Sequence, residues 1–376
     1  MILLLGPLAL ASAFDTREMV RVRLLRGSTS FVVNGTDLIF GEGQHEIRTR
    51  GLSRWEISKT PKGWRLHSRS VSQSDADLEL KFLRLRGSFL RDINGPLPSD
   101  LELRAASREK FDVIASLSLR DYLIGVVAHE MSPKWPLETL KAQSVAARSY
   151  TLKTREERKT KPWHVEATVE DQVFRDPSMR TDLAAVRKAV LETDGTVLLD
   201  AKRRTLKAFY HADCGGQTQS SAAVWGGGVD TGTAVDPQCP SGPRSRWTYR
   251  IKARDFLQRL AIKGERLLGL EPLPQIMAAK TRPDRLRLRL ADSQDIEMNA
   301  NDLRLKVGST QLKSTRFSMK RDGDELVFQG QGFGHGVGLC QWGSRHLGQQ
   351  GFSYEKILVH YYPKALLEHR VSATSL

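Results

Sequence analysis

The chain has 376 residues, of which 40% are hydrophobic and 27% charged, and a formal net charge of +15. That length can bury a substantial core, and the composition is that of a globular protein rather than a disordered one. The basic balance points to an anionic partner; with no zinc-finger, RNA-recognition or basic-zipper signature, nucleic acid is not the partner expected, and an anionic membrane or cell-wall polymer is.

Residues 1–13, MILLLGPLALASA, read as a short secretory signal. An apolar run ends in Ala11-Ser12-Ala13, a small-residue cleavage site, although no basic segment precedes it. The run is too short for a transmembrane helix, and no other stretch is apolar enough to be one. An exported protein of the bacterial envelope, periplasmic or secreted, is expected.

Residues 14–105 read as a β-rich segment. Arg21–Leu25, Ser30–Val33, Trp55–Ile57 and Trp64–Leu66 are short strand-like runs, and Asn34-Gly35 is a turn signal. Residues 106–245 form the next segment, and Leu119–Leu152 is its centre. In the first half, Leu119, Tyr122, Leu123, Val126, Val127 and Glu130 fall on one helical stripe. Ser118 and Asp121 make a capping-box-like start, and Pro133 ends the helix near Glu130 or Met131. The pattern therefore puts a carboxylate on the buried face of the last turn. Desolvation and the negative end of the helix dipole both raise a carboxyl pKa there, as a general acid requires. The alternative is a glutamate that swings into solvent past the helix end.

The second helix starts at Pro136. Ala142, Val145, Ala146 and Ser149 form one packing stripe; Leu140, Ala147 and Thr151 form another. Lys141, Ser144 and Arg148 lie between them, facing either a cleft, a buried network or solvent. Residues 155–161 read as a charged loop, and Thr181–Thr193 as a helix capped by Thr181. Strands are expected at Thr196–Leu199 and Leu206–His211, the latter running into Cys214-Gly215-Gly216, where backbone can approach a ligand closely.

Residues 246–325 read as an α/β subdomain, with a helix over Asp255–Leu270, an alternating strand over Arg285–Leu290 and a short helix over Asn301–Val307. In the closing segment, 326–376, Gly330–Gly338 is glycine-dense. It lacks the Gly-Lys-Ser/Thr of a phosphate loop. On a strand, such glycines would lie under a bulky ligand such as a sugar and present His335 without neighbouring side chains. Helices over Gln341–Leu347 and Tyr354–Tyr362 close the chain.

The run RDYLIGVVAHEMSPKWPLETLKAQSVAARSYTL resembles the signature of the stage II sporulation protein D family, the SpoIID/LytB domain. EDQVF at 170–174, FYHADCGGQTQSSAAVWG from Phe209, LKSTRF at 312–317 and GQGFGHGVGLCQWG from Gly330 continue the resemblance in order. It implies an α+β composite fold, with a helical core that carries the catalytic glutamate, packed against strands, plus the N-terminal β-rich segment. It also implies one of two roles: a lytic transglycosylase of peptidoglycan, preferring glycan strands stripped of stem peptides, or a non-catalytic amidase enhancer that recruits a separate cell-wall hydrolase.

Under the first role Glu130 is the catalytic residue. It protonates the bond between N-acetylmuramic acid and N-acetylglucosamine, then takes the proton of the muramic 6-hydroxyl as that oxygen attacks C1. Asp171 could stabilise the oxocarbenium ion, with Gln172 beside it; the alternative for Asp171 is a loop cap. Lys141, Gln143 and Arg148 carry over from the signature, to orient Glu130, to bind the lactyl carboxylate, or as structural salt bridges. His211, Gly215, Gly216, His335 and Gln341 are the remaining substrate-binding candidates.

The cysteines are Cys214, Cys239 and Cys340. In an exported protein two of three pair, and a Cys214–Cys239 disulfide would close a modest loop. The alternative is structural zinc on His211, Cys214 and Cys239, with Cys340 as a further ligand. Some family members resemble zinc binders through a histidine and two cysteines near this motif, although the spacing here departs from theirs. The glutamate mechanism itself requires no cofactor.

Overall fold

The computed structural model describes residues 19–69, 74–227, 231–236, 245–263, 266–273, 282–291 and 294–370; the signal-like segment 1–13 and Cys239 lie outside the described residues. The fold is α+β with a β-rich N-terminal region. The chain divides into two compact units, Met1–Lys134 with Thr151–Thr196 and His369–Leu376, and Trp135–Tyr150 with Val197–Glu368.

The first unit is built on an eleven-stranded sheet. Its strands are β1 (Met19–Ser28), β2 (Ser30–Phe40), β3 (Ile47–Arg48), β4 (Leu52–Lys59), β5 (Trp64–Ser68), β6 (Ala76–Leu78), β7 (Phe82–Asp92), β8 (Gly95–Pro96), β9 (Asp100–Ala105), β10 (Phe111–Ser118) and β11 (Val165–Glu166). The main path runs β11-β1-β10-β9-β7-β2-β4-β5-β6, antiparallel except for the parallel β1–β11 pair. Alternation along the strands buries one face, where Phe40 meets Trp55 and Trp64 meets Phe111. Each such side chain contributes roughly 1.5–3 kcal/mol on burial.

Asn34-Gly35 is not a turn: β2 runs through it. A Cβ at Gly35 would come 2.6 Å from both Leu38 and Leu90, so the glycine admits neighbouring side chains instead of bending the chain.

β10 passes directly into α1 (Leu119–Glu130). Ser118 Oγ accepts the Asp121 N–H at 3.0 Å and donates to its carboxylate at 2.7 Å, the expected start. The helix stops at Glu130, as expected, with the Met131 N–H bonded to Val127 O. Helix α2 (Leu137–Glu157) follows, then α3 (Ala184–Glu192). α2 extends through Glu157, so the charged run begins as helix and not as loop. α3 starts later than expected: Leu183, not Thr181, is its N-cap, with no side-chain capping bond. Tyr150 and Thr151 mark the point where α2 passes from the second unit to the first.

The second unit holds β12 (Thr196–Leu199, whose first residue belongs to the first unit), β13 (Tyr210–His211), α4 (Ser221–Trp225), β14 (Arg246–Lys252), α5 (Ala253–Arg259), β15 (Leu267–Leu273), β16 (Arg285–Leu290), β17 (Ile296–Asn299), α6 (Ala300–Val307), β18 (Phe317–Asp322), β19 (Glu325–Gln331), β20 (Leu339–Cys340), α7 (Gln341–Gln349), α8 (Tyr354–Tyr361) and β21 (Leu366–His369, whose last residue belongs to the first unit). Two three-stranded sheets, β14-β19-β18 and β15-β16-β17, share a core with α5 and α6. β16 alternates as expected, with its leucines inside and arginines outward. The expected helix over Asp255–Leu270 is shorter, because from Leu267 the chain pairs with β16. The expected strand over Leu206–His211 contracts to Tyr210–His211, which pairs in parallel with β20. Among the described residues no helix is long and apolar enough to cross a membrane.

Candidate functional site

Glu130 is the last residue of α1, whose preceding turns from Tyr122 to Ala128 are buried. It is half-buried itself, between the two readings its stripe position allowed. Its Oε1 accepts the Val173 N–H at 2.9 Å, a bond across 43 positions of sequence. The loop that supplies this N–H is fixed from several sides. Buried Arg23 binds Asp112 at 2.8 Å and Glu166 at 3.0 Å, while Trp163 lies 3.6 Å from its guanidinium. The His164 and Ala167 N–H groups bond Arg21 O and Arg23 O. Removing one partner of a buried ion cluster of this kind costs about 3–5 kcal/mol, because a buried charge is left uncompensated. Phe174 stacks on Tyr122 of α1, 5.5 Å between centroids. A Cβ at Gly125 would come 2.4 Å from Phe174, so this glycine lets the loop lie against the helix. Arg180 Nη1 donates to Ala128 O at 2.8 Å, which satisfies a carbonyl of the last turn.

Asp171 and Gln172 serve this loop. The Asp171 side chain is 1% exposed; it binds Arg158 Nη2 at 3.1 Å and the Glu166 N–H at 2.8 Å. Gln172 is fully buried, and its Oε1 accepts from Tyr122 at 3.0 Å and Thr151 at 2.7 Å. These contacts make the pair anchors of the segment that holds Glu130, and answer to the loop-cap alternative for Asp171.

Lys141, Gln143 and Arg148 belong to the second unit. Ser144 and Arg148 are fully buried, so most of the polar stripe of α2 is internal and not solvated. Lys141 pairs with Glu138 at 2.8 Å. Gln143 is fully buried, and neither polar atom of its amide has a bonding partner among the described residues. A buried amide in that state is costly without a ligand or water.

His211, Gly215, Gly216, His335 and Gln341 also fall in the second unit. The glycine run is not a strand beyond Gln331. Gly332, Gly334, Gly336 and Gly338 take φ of +83°, +108°, +83° and +69°. A Cβ at Gly332 or Gly336 would come 2.8 Å from the Arg282 guanidinium, and one at Gly338 would come 2.1 Å from Phe209 O. The bare α-carbons thus make room for the protein's own groups. His335 is not isolated either. Its ring lies 5.9 Å from Phe209, 5.7 Å from His211 and 5.2 Å from Trp225, and its Nδ1 accepts the Val337 N–H. Burial, reinforced by the charge of His211, holds its pKa well below the usual imidazole range.

His211 Nδ1 bonds Val337 O at 3.1 Å; its Nε2 is buried with no partner among the described residues. Gly215 and Gly216 turn the chain at φ of +68° and +112°. Gln341 is buried at the first turn of α7.

Sequence reasoning passed over Trp225. It ends α4, which Ser220 caps at the start and Gly226, at φ +73°, at the end. The indole is 42% exposed and packs at 4.3 Å on Phe209, beside His335. An aromatic face supported from behind and open in front suits stacking against a sugar ring. The signal available in sequence was an aromatic just before a helix-ending glycine. A cavity of about 970 Å³ in this unit is lined by Arg246, Trp247, Arg316, Phe317 and Gln331 among others, and by none of the site candidates Lys141, Gln143, Arg148, His211, Gly215, Gly216, His335 and Gln341.

The possible metal ligands converge differently from expectation. Among the described residues, the ligand atoms of Cys214, Asp236 and Cys340 lie within 4.8 Å of one another, and His211 is not in the group. Cys239, and with it the Cys214–Cys239 disulfide, lies outside the described residues.

The profile of a family described as "Stage II sporulation protein" matches residues 107–199, which include Glu130 and the loop that binds it. An uncharacterized protein of Brachyspira hyodysenteriae is 30% identical over 256 residues, 66% of each chain. Stage II sporulation protein D of Bacillus amyloliquefaciens is 28% identical over 263 residues, 66% of this chain and 74% of that one. A protein of Bacillus subtilis named amidase enhancer is 28% identical over 293 residues, 65% of this chain and 40% of that one.

Proposed function

Because the chain carries a domain of the SpoIID/LytB family, we propose that it is an exported lytic transglycosylase that cuts peptidoglycan glycan strands, with strands lacking stem peptides preferred. The observation that carries this reading is Glu130: a half-buried carboxyl at the end of a rigid helix, its Oε1 fixed by a backbone N–H. A general acid must be held within hydrogen-bond reach of the leaving oxygen, and a carboxyl whose Oε1 accepts a backbone N–H is pre-oriented for that. The protonated carboxyl gives its proton to the glycosidic oxygen as the bond to C1 breaks. The carboxylate then takes the proton of the muramic 6-hydroxyl as that oxygen bonds C1. The acid is restored, the product is a 1,6-anhydro sugar, and no water is consumed. The supported Trp225 face and the net charge of +15 suit a polymer of sugars with carboxylates.

The similarity to a protein named amidase enhancer favours a second reading, in which the chain grips glycan and recruits a cell-wall hydrolase. Mass spectrometry of products from peptidoglycan with and without stem peptides separates the two. Wild type is expected to yield anhydro-muramic ends from the stripped glycan. Glu130→Gln is expected to lower the rate by at least about 10²–10⁴-fold, with an unchanged circular dichroism spectrum. Undiminished cleavage by the variant excludes Glu130 as the acid. Binding without cleavage by wild type favours the enhancer, and reducing-end products indicate an ordinary hydrolase.

A further inference from the structure

Two cysteines and an aspartate meet inside the second unit. Cys214 follows β13, Asp236 is tied by its N–H to Gly216 O at 2.9 Å, and Cys340 ends β20 and caps α7. All three are buried, with their ligand atoms within 4.8 Å of one another. The Cys214 N–H points at Cys340 Sγ at 3.2 Å, the Gly343 N–H at the same sulfur at 3.3 Å, and the Gly216 N–H at Cys214 Sγ at 3.2 Å. Three backbone N–H groups thus point at the two sulfurs, which serve as hydrogen-bond acceptors. Tyr361 donates to Asp236 Oδ2 at 2.6 Å and orients the carboxylate, as an outer-sphere partner does at metal sites.

Arg282 gives an independent reason. It is buried, and its guanidinium donates to Gly334 O at 3.0 Å, Asp213 O at 3.3 Å and Cys214 O at 2.9 Å; among the described residues no carboxylate pairs with it. A buried charge needs compensation nearby. Two thiolates and a carboxylate carry three negative charges. A divalent ion leaves one, and the Arg282 cation beside Cys214 cancels it.

We propose that Cys214, Asp236 and Cys340 bind a thiolate-preferring divalent cation of the zinc class, which clasps Cys214 and Asp236 to the start of α7. Two sulfurs and a carboxylate oxygen match zinc in softness and supply three of the four positions of a tetrahedral site; they exclude magnesium and calcium, which take oxygen ligands. Binding converts two thiols to thiolates and releases two protons, so affinity falls as pH falls. The site is separate from the chemistry assigned to Glu130, and its test does not depend on that assignment.

The full chain, purified under reducing conditions, is loaded with zinc or cobalt and dialysed. Elemental analysis is expected to find one zinc per chain, and the cobalt form to show a sulfur-to-metal charge-transfer band. A chelator is expected to lower the melting temperature. Cys340→Ser retains a hydroxyl able to accept the Gly343 N–H at the helix cap, so it is expected to fold. It is expected to lose zinc affinity by on the order of 100-fold, weaken the cobalt band and melt at a temperature indifferent to chelator. Asp236→Asn is expected to weaken binding while keeping the thiolate band. Reduced wild type that takes up neither metal overturns the proposal, as does zinc retained undiminished in both variants. A Cys214–Cys340 disulfide in protein isolated without reductant also overturns it.

Discussion

Glu130 and the glycine run at 332–338 are the two most informative stretches, and the fold treats them in opposite ways. Around Glu130 side chains do the holding: Arg23 with Asp112 and Glu166, Arg158 with Asp171, and Gln172 with Tyr122 and Thr151. The result is one backbone N–H delivered to one carboxylate. Around the glycines the absence of side chains does it: left-handed backbone wraps the Arg282 guanidinium, and carbonyl oxygens accept its hydrogen bonds. The first arrangement tolerates a small displacement at the expense of geometry. The second has no room to give, because what a new methyl meets is backbone or a buried cation.

The largest effect is therefore expected at Gly338→Ala. Its Cβ meets Phe209 O at 2.1 Å with φ at +69°, and the variant is expected to lose about 4 kcal/mol or more in urea unfolding. Gly51→Ala, with a similar φ of +68° but nothing within 4 Å, is expected to cost only about 1 kcal/mol. Equal losses in the two variants would show that φ alone, and not crowding, sets the cost.

Gly125→Ala sharpens the other side of the comparison. Its Cβ would meet Phe174 at 2.4 Å and Arg175 O at 2.8 Å. The loop must move, and the Val173 N–H with it. A stability loss of roughly 2–3 kcal/mol is expected, with kcat falling more than KM changes in the glycan-cleavage assay. Full activity would mean that the bond to Glu130 does not position it.

The smallest effect is pH-dependent. His164 accepts the Arg21 N–H at Nδ1 and is buried beside the charges of Arg21 and Arg155. Burial, then those charges, lowers its pKa from 6.5 to about 4. The unfolded chain takes up the proton first as pH falls, so the stabilisation is whole above pH 6.5 and is lost progressively towards pH 4. After allowance for partial solvation it amounts to about 1–2 kcal/mol. Unfolding curves of wild type and His164→Asn should converge over that window; parallel curves would remove His164 as their cause.

Much of the local structure was legible in the residues. The limits and cap of α1, the alternation of β16 and the helices at 300–307, 341–349 and 354–361 follow from periodicity and capping, which act within a few residues. Asn34-Gly35 misled because the same dipeptide that turns a hairpin also opens a gap in a strand; only Leu38 and Leu90 reveal which. The strand expected over 206–211 shrank because strands need partners, and only two of its residues have one in β20.

The sequence by itself determined that a carboxylate ends a buried helix, that the chain is basic, and that its motifs resemble those of a cell-wall family. Each rests on residue types and short spacings. Only the tertiary structure decided that Val173 holds Glu130, that Asp171 is an anchor, that Trp225 offers an open aromatic face, and that Cys214 meets Asp236 and Cys340. These depend on segments far apart in the chain, whose pairing is set by packing and by the need to satisfy buried charge, and no local pattern encodes them.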